Sequence, residues 1–329
     1  MASAEKQSIK ATVFIPTYNG ERYLSDLLKG VFKQDLPYPF EVLIIDSGSK
    51  DKTLEIIKRF PKVKLHQIPN SEYGHGKTRN LAAQMANGEF VVYLSQDAVP
   101  LNKRWLEYMI EPFLVSDKIF CVYGRQVPRP FCDATTKREV SGAFRPLGTD
   151  HSIIIQRKRS LVTNKIAKPY LTFFSDVNSA VRRDYILNKI PYRDIRYSED
   201  QFLGKDVLDA DYFKAYAPLG AVAHSNEYRL RDYFYRKYDE NLGIYETIGI
   251  LPPPGKLFHI RKSITDTLRD YLFIVRDEDF TFLQKIRNFG SSTIRNPLKQ
   301  LAAYLIANKK HRKKNGLDFS LEAKNKQAD

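Results

Sequence analysis

The chain has 329 residues, 43% hydrophobic and 12% aromatic with 20 Tyr and 20 Phe, which provides for a sizeable core and excludes a disordered chain. That length suits one enlarged α/β domain with an appendage. With 53 Lys and Arg against 38 Asp and Glu, the net charge is +15, and an anionic partner or surface is called for: nucleic acid, phosphorylated substrate or acidic lipid. Cys121 and Cys132 lack both the CxxC spacing and the density of a disulfide scaffold, so they read as ordinary thiols of a reducing cytoplasm. The opening MASAEKQSIKATVFIP has no unbroken apolar core of a signal peptide, and no run reaches the ~18 apolar residues of a spanning helix. The expectation is a cytoplasmic protein with peripheral membrane contact.

In chain order, ATVFI (11–15) reads as a buried strand closed by Pro16. Residues 21–33 read as a helix, because Leu24, Leu27, Leu28, Val31 and Phe32 recur at helical intervals. A strand at 40–45, the turn DSGSKDKT (46–53), a helix at 54–60 and a strand at 64–68 complete a βαβαβ pattern. Such alternation predicts a parallel sheet whose ligands bind at the carboxyl ends of its strands. A helix follows at 77–87, stopped by Gly88, then a strand at 90–94 that runs into SQDAVP. A helix at 105–115 and a strand at 119–124 lead to a Pro- and Arg-rich stretch, 125–130. Beyond it come a strand-like segment at 174–182, a loop with two acids at 196–200, a helix at 202–210 and a strand at 212–223. The stiff PPPG at 252–255 separates off basic amphipathic helices and a polar tail expected to be disordered. The organisation read from this is 1–120 as a first half, 121–254 as a second, and 255–329 as a basic helical extension.

Chemistry is sought just after the strands. Asp46 ends an apolar strand, where its carboxylate could accept the imide N–H of a uracil or thymine, with Thr17 and Tyr18 on the neighbouring strand end. An Asp there serves equally well to cap the next helix. Asp97 closes another apolar strand and could hold a hard divalent cation on a diphosphate, which needs only one or two protein carboxylates; Gln96 beside it offers an amide. In HGKTRN, Lys77 and Arg79 stand at a helix start against the usual dipole preference, which favours a bound anion over solvated surface charge. Glu199 and Asp200 could be plain helix N-terminal acids or supply a general base. His224, ending AVAH, is either a satisfied structural histidine or a metal ligand.

Taken together, PTYNGERYLSDLL, LIIDSGSKDKT, HGKTRNLAA, GEFVVYLSQDAVP, DVNSAVRRD and SED resemble, in this order, the family 2 glycosyltransferases of GT-A fold, over residues 11 to about 245. More narrowly, DSGS with HGKTRN and SQDAVP is similar to bacterial rhamnosyltransferases of O-antigen and cell-wall polysaccharide assembly. The resemblance implies an α/β, Rossmann-like GT-A fold: a mixed, mainly parallel sheet with helices on both faces, a nucleotide-sugar half, an acceptor half and the C-terminal helical extension. It implies that Thr17, Tyr18, Asn19, Glu21, Asp46, Ser47, Lys77, Arg79 and Gln96 form the nucleotide-sugar site, with Thr17, Tyr18 and Asp46 on the base and Arg79 near the diphosphate. Asp97 would bind Mg²⁺ or Mn²⁺ with His224 as a further ligand, and Asp200, beside Glu199, would be the catalytic base of an inverting transfer. The implied donor is TDP-L-rhamnose, and the implied acceptor a lipid-linked oligosaccharide or glycan at the inner face of the cell membrane. Three departures stand out. Gln96 replaces an acid of the broader family, though QD is usual in the rhamnosyl subgroup. The QxxRW signature of processive synthases is absent, and Asn226 stands where the subgroup often has a second His.

In the extension, Ile294, Leu298, Leu301, Leu305 and Ile306 lie beside Arg295, Lys299, Lys309 and Lys310, and KKHRKK (309–314) adds charge. This suits an anionic membrane surface, at about 1 kcal/mol per cation, or equally a helical subdomain packed on the core. Two rivals remain. A nucleotidyltransferase is disfavoured because PTYNGERY carries only Gly20 where a Gly-rich phosphate loop is needed. A nucleic-acid-binding protein leaves the acids at strand ends without a purpose, so no nucleic-acid partner is expected.

Overall fold

A computed structural model describes residues 8–148, 151–158 and 172–308. KKHRKK and the polar tail lie outside the described residues. The short apolar runs fold as strands: β1 (Ala11–Thr17), β2 (Phe40–Asp46), β3 (Val63–Gln67) and β4 (Phe90–Leu94). β1 pairs in parallel with β2 and β4, and β2 with β3. Their unbroken apolar sequence has the expected cause, since Val13, Ile15, Val42, Ile44, Val91 and Val92 are all fully buried, as in parallel strands covered on both faces. The helix Leu24–Phe32 sets Leu24, Leu27, Leu28 and Val31 into the same core.

The chain continues with β5 (Val99–Pro100), β6 (Ile119–Val127), β7 (Ile154–Gln156), β8 (Asn178–Arg182) and β9 (Phe213–Ala223). Among the described residues these make one nine-stranded sheet in the order β3-β2-β1-β4-β8-β6-β9-β5, with β7 also on β9. The sheet is mixed, as expected, but it is parallel only through β4. From β8 onward the pairings β4–β8, β6–β8, β5–β9 and β7–β9 are antiparallel. The expected strand at 174–182 shortens to β8 because residues before Asn178 form a turn. The two acids expected in a loop begin the helix Glu199–Asp209.

Behind the strand ends the packing is tight. Trp105 Nε1 donates to Asn178 Oδ1 at 3.0 Å and Asn178 Nδ2 to the Gly220 carbonyl at 2.6 Å. Gly124 leaves room for this, since a Cβ there would come within 2.0 Å of the Gly220 carbonyl oxygen and 2.2 Å of Asn178 Nδ2.

The chain divides into two compact units whose bounds do not follow the three spans read along the sequence. One comprises Met1–Gln126, Leu147–Ile195 and Glu199–His224; the other comprises Val127–Pro146, Arg196–Ser198 and Ser225–Asp329. The second unit is helical: Ala134–Phe144, Leu230–Ile248, Lys256–Arg276 and Phe282–Ala307. Sequence reading passes over the first of these because it buries Thr135, Thr136 and Lys137, leaving no apolar period to detect. The interior of this unit combines two small apolar clusters, Ala134 with Ile274 and Phe280, and Tyr238 with Ala302 and Ile306, with many polar groups. Glu139 takes Lys237 and Lys299 at 2.8 and 3.0 Å, and although burial works against its charge, the two ammoniums hold its pKa down to about 2. Asp270 accepts from Thr135 Oγ1 and Asn296 Nδ2, each at 2.7 Å. The apolar stripe on the last helix, read equally as facing a membrane or packed on the core, is split between the two: Ile306 and Arg295 are buried and Leu298 and Leu305 half-buried, while Ile294 and Leu301 are exposed.

Candidate active site

The residues singled out at the strand ends gather in the first unit as three hydrogen-bonded clusters. In the first, the parallel register sets Thr17 opposite Asp46, and Thr17 Oγ1 donates to Asp46 Oδ2 at 2.8 Å. The buried Asp46 carboxylate also accepts from the Gly48 and Ser49 N–H groups at 3.1 and 3.0 Å and from Ser49 Oγ at 2.5 Å. The helix-cap reading of Asp46 therefore fails: no side chain caps the helix Thr53–Lys58, and Asp46 instead folds the turn that follows its own strand. The N–H of Ser47 donates to the Thr17 carbonyl at 2.9 Å.

The loops after β1 and β2 are latched to each other. Asn19, in the left-handed region at φ 48°, donates its N–H to Ser49 Oγ at 2.9 Å and accepts the Lys50 N–H at 2.8 Å. Glu21 Oε2 accepts the Lys52 N–H at 3.0 Å. Asn19 and Glu21 thus shape the loops through the backbone. Gln96 does the same for Tyr18, its Oε1 accepting the Tyr18 N–H at 2.9 Å while its Nε2 donates to the Tyr18 carbonyl at 3.1 Å. A carboxylate could supply only the accepting half of that pair, which accounts physically for an amide at 96. Gly20 keeps the approach open, since a Cβ there would stand 2.4 Å from Gln96 Oε1.

The second cluster joins Asp97 to His224. Val99 pairs with Ala223, so the residues flanking that rung come together, with His224 Nε2 3.4 Å from Asp97 Oδ2. His224 Nδ1 lies 2.9 Å from Gln126 Oε1. An amide oxygen only accepts, so in this network Nδ1 donates to Gln126 and Nε2 is the ring nitrogen that faces Asp97. Metal-binding histidines are held this way by an acceptor behind the ring. Two cis ligands at roughly 2.1 Å from one ion stand about 3 Å apart, near the distance seen. Among the described residues no group of three or more His, Cys, Asp or Glu side chains is arranged to hold a metal. One carboxylate and one imidazole suit a divalent cation that draws the rest of its shell from phosphate oxygen and water.

The third cluster surrounds Arg79, which the helix His75–Met85 buries. Its Nη1 donates to Glu199 Oε1 at 2.5 Å and to the His75 carbonyl at 3.0 Å, and its Nε lies 3.0 Å from Asp176 Oδ2. Burial opposes the charge, but Asp176 and Glu199 together hold the guanidinium pKa above its ordinary value. Arg79 is thus neutralised within the protein, whereas Lys77 in the same first turn is exposed. Glu199 is buried against Arg79. Asp200, half-buried, accepts the Gln201 N–H at 2.7 Å and the Asp176 N–H at 3.4 Å. Burial, then the negative charges of Glu199 and Asp176, push the Asp200 pKa up to about 7.

The second and third clusters are connected through residues that sequence reading left without a role. Gln126 Nε2 donates to Ser175 Oγ at 3.0 Å, and the next residue, Asp176, reaches Arg79 and Asp200. Asp176 is anchored by Ser179 Oγ at 2.6 Å and Tyr192 Oη at 2.9 Å, and burial raises its pKa. A continuous path therefore runs from Asp97 and His224 through Gln126, Ser175 and Asp176 to Asp200. Asp176 opens the segment DVNSAVRRD, so a polar residue ahead of a buried strand was its only signal.

Comparison with known proteins gives concordant findings. The family model described as Glycosyl transferase family 2 matches residues 12–188. The chain is 30% identical over 242 residues to the O-antigen chain rhamnosyltransferase RfbN of Salmonella typhimurium, covering 70% of this chain and 71% of that one. It is 32% identical over 232 residues to the O-antigen chain rhamnosyltransferase WbaN of Salmonella anatum, covering 69% and 70%. In fold it is similar to the mannosyltransferase PcManGT of Pyrobaculum calidifontis, solved with GDP-Man and Mn²⁺: TM-score 0.53, 18% identity, 98% of this chain and 88% of that one. The mixed sheet and its helices are of GT-A type.

Proposed function

The chain belongs to glycosyl transferase family 2, and on that premise we propose that it transfers L-rhamnose from TDP-L-rhamnose to a hydroxyl of a lipid-linked or polysaccharide acceptor, with inversion at the anomeric carbon. The observation that carries the site assignment is the path of contacts and adjoining residues from the Asp97–His224 pair through Gln126, Ser175 and Asp176 to Asp200, which joins a carboxylate and imidazole suited to a cation to a carboxylate suited to take a proton. The donor sugar rests on the similarity to the two O-antigen rhamnosyltransferases.

In this reading Thr17, Tyr18, Asp46 and Ser47 form the floor for the thymine and ribose, with Asn19, Glu21 and Gln96 keeping that floor in shape. Asp97 and His224 would hold Mg²⁺ or Mn²⁺, which when bound would supply positive charge for the leaving diphosphate. Lys77, exposed at the helix start, adds its charge to the same oxygens. Asp200 takes the proton of the acceptor hydroxyl, whose oxygen bonds to the anomeric carbon while the carbon–oxygen bond to the diphosphate breaks and its electron pair leaves with the phosphate. A carboxyl group that titrates near 7 is matched to this task, because about half of it is ionised near neutral pH and it is basic enough to accept a proton. Glu199 and Asp176 act through that pKa, and Arg79 limits how far they raise it.

The test is nucleotide release from a panel of UDP-, GDP- and TDP-sugars with Mn²⁺ or Mg²⁺. TDP-L-rhamnose is expected to give the fastest release, and chelation to remove it. Faster turnover of another sugar nucleotide would overturn the donor assignment, and turnover undiminished by a chelator would overturn the metal role.

A further inference from the structure

The second unit carries an amphipathic helix pair turned inside out. In the helix Lys256–Arg276 both acids, Asp266 and Asp270, are buried. They are held there by hydrogen bonds: Gln300 Nε2 donates to Asp266 Oδ2 at 3.3 Å, and Asn296 Nδ2 to Asp270 Oδ2 at 2.7 Å. The opposite face bears Leu257, Ile260, Ile264, Leu268, Leu272 and Val275, all between 48% and 63% exposed. Interleaved with them are the exposed cations Lys256, Arg261, Arg269 and Arg276, and no exposed acid. The partner helix Phe282–Ala307 contains no acidic residue, and it opens with Phe282 and Leu283, each more than three-quarters exposed. Packing within the unit leaves this face uncovered: the helices meet through buried polar groups and through two small apolar clusters, Ala134 with Ile274 and Phe280, and Tyr238 with Ala302 and Ile306, and none of the exposed side chains named above belongs to either.

We infer that this face docks in the plane of an anionic lipid surface, with Ile264, Leu268 and Leu272 entering the acyl boundary and Arg261 and Arg269 meeting headgroup phosphates. Charge selects lipid over a second copy of the chain: around a two-fold axis the same cations would face one another, whereas acidic headgroups complement them. Continuity of the sequence adds to this, since KKHRKK follows directly after Asn308. Leu257, Phe258, Arg261, Lys262 and Thr265 line a shallow open depression along this helix, setting apolar side chains beside cations. No described helix is long and apolar enough to cross a membrane, which fits a surface contact. The inference stands apart from the proposed reaction, because vesicle binding can be measured on protein with no transferase activity.

The experiment is co-sedimentation of the full chain with vesicles of phosphatidylcholine alone and of phosphatidylcholine with phosphatidylglycerol. The wild type is expected to partition onto the anionic vesicles, and more weakly as salt rises. The triple variant Ile264→Ser, Leu268→Ser, Leu272→Ser should lose at least about tenfold in partition, and the double variant Arg261→Glu, Arg269→Glu should lose the preference for anionic lipid. Both should keep nucleotide release from a soluble donor, since neither touches the site, and the triple variant should keep near wild-type thermal unfolding. Arg269 also lies 3.9 Å from the buried Asp266, so the double variant is read on its lipid preference, and a single Arg261→Glu variant, which leaves that pair intact, should show the same loss of preference. Wild-type protein that stays in the supernatant with both vesicle types would overturn the inference, as would a triple variant that binds like the wild type. So would a lipid-independent oligomer that the triple variant dissolves, which would make a second copy the occupant.

Discussion

In the first unit the strands bury unbroken apolar runs and hold their polar groups at the carboxyl ends, where Asp46, Asp97 and the Asp200 cluster collect. In the second, polar groups share the interior with two small apolar clusters, so that Asp266, Asp270, Asn288, Ser292 and Asn296 lie inside while Leu268, Leu272 and Val275 lie outside. The difference separates two uses of burial. Apolar packing in the sheet fixes strand register to the residue, and register is what puts Thr17 beside Asp46 and His224 beside Asp97. A polar interior stabilises less, because desolvation offsets most of the Coulomb and hydrogen-bond gain, but it lets a unit fold while keeping its apolar side chains for another surface.

The largest effect should come from the polar end of the first unit. Asp200→Asn keeps shape and removes basicity, so turnover should fall by about 10² to 10⁴, or about 3 to 5 kcal/mol on the barrier, while donor binding measured by calorimetry stays near wild type. Retained turnover would move the base elsewhere. In the second unit the matching lesion is Asp270→Ala, which strands Arg138, Thr135 and Asn296 without their shared acceptor. Unfolding in denaturant should show a loss of about 3 kcal/mol; a neutral outcome would mean that the polar interior carries no weight.

The sequence tells the two regions apart less well than the structure does, for a physical reason. Runs such as VLII and FVVYL are apolar on both sides, so strand, depth and the strand-end position of Asp46 and Asp97 can all be read from one pattern. Amphipathic helices show their two sides equally clearly, yet periodicity cannot say which side faces inward. The stripe with Ile306 and Arg295 therefore stays open between the two in the sequence, and in the structure both residues are buried. The pair Gln96 and Tyr18 was visible as two motif positions, but its hydrogen bonds form only when β1 and β4 lie side by side. Asp176 and Gln126 work through contacts across 24 and 98 residues of chain, a separation that no local pattern records.

The pH dependence should sharpen the account of the first unit. On the proposed mechanism the rate requires ionised Asp200, so kcat/KM should rise with pH through about 7 and fall away below it. Glu199→Gln removes a neighbouring negative charge and lets Arg79 act more strongly on Asp200. Both changes lower the Asp200 pKa, so the acid limb should move down by roughly one unit. A limb that stays fixed, with kcat reduced at every pH, would make Glu199 a packing residue with no part in setting the base.

The smallest expected effect is the most direct test of the contrast between the units. Leu27 and Leu268 are the same residue on helices of the two units, one fully buried and the other 55% exposed. Leu27→Ala should cost about 2 to 5 kcal/mol, the lost transfer energy plus a cavity. Leu268→Ala should stay within about 0.5 kcal/mol in the absence of lipid, because water already reaches the side chain and alanine is the better helix former. With anionic vesicles present the two states should diverge: lipid binding to the folded protein raises the wild-type melting temperature by mass action, and the variant should gain less. Equal losses for Leu27→Ala and Leu268→Ala without lipid would mean that the outer face is packed against protein, and the reversal of inside and outside would not hold.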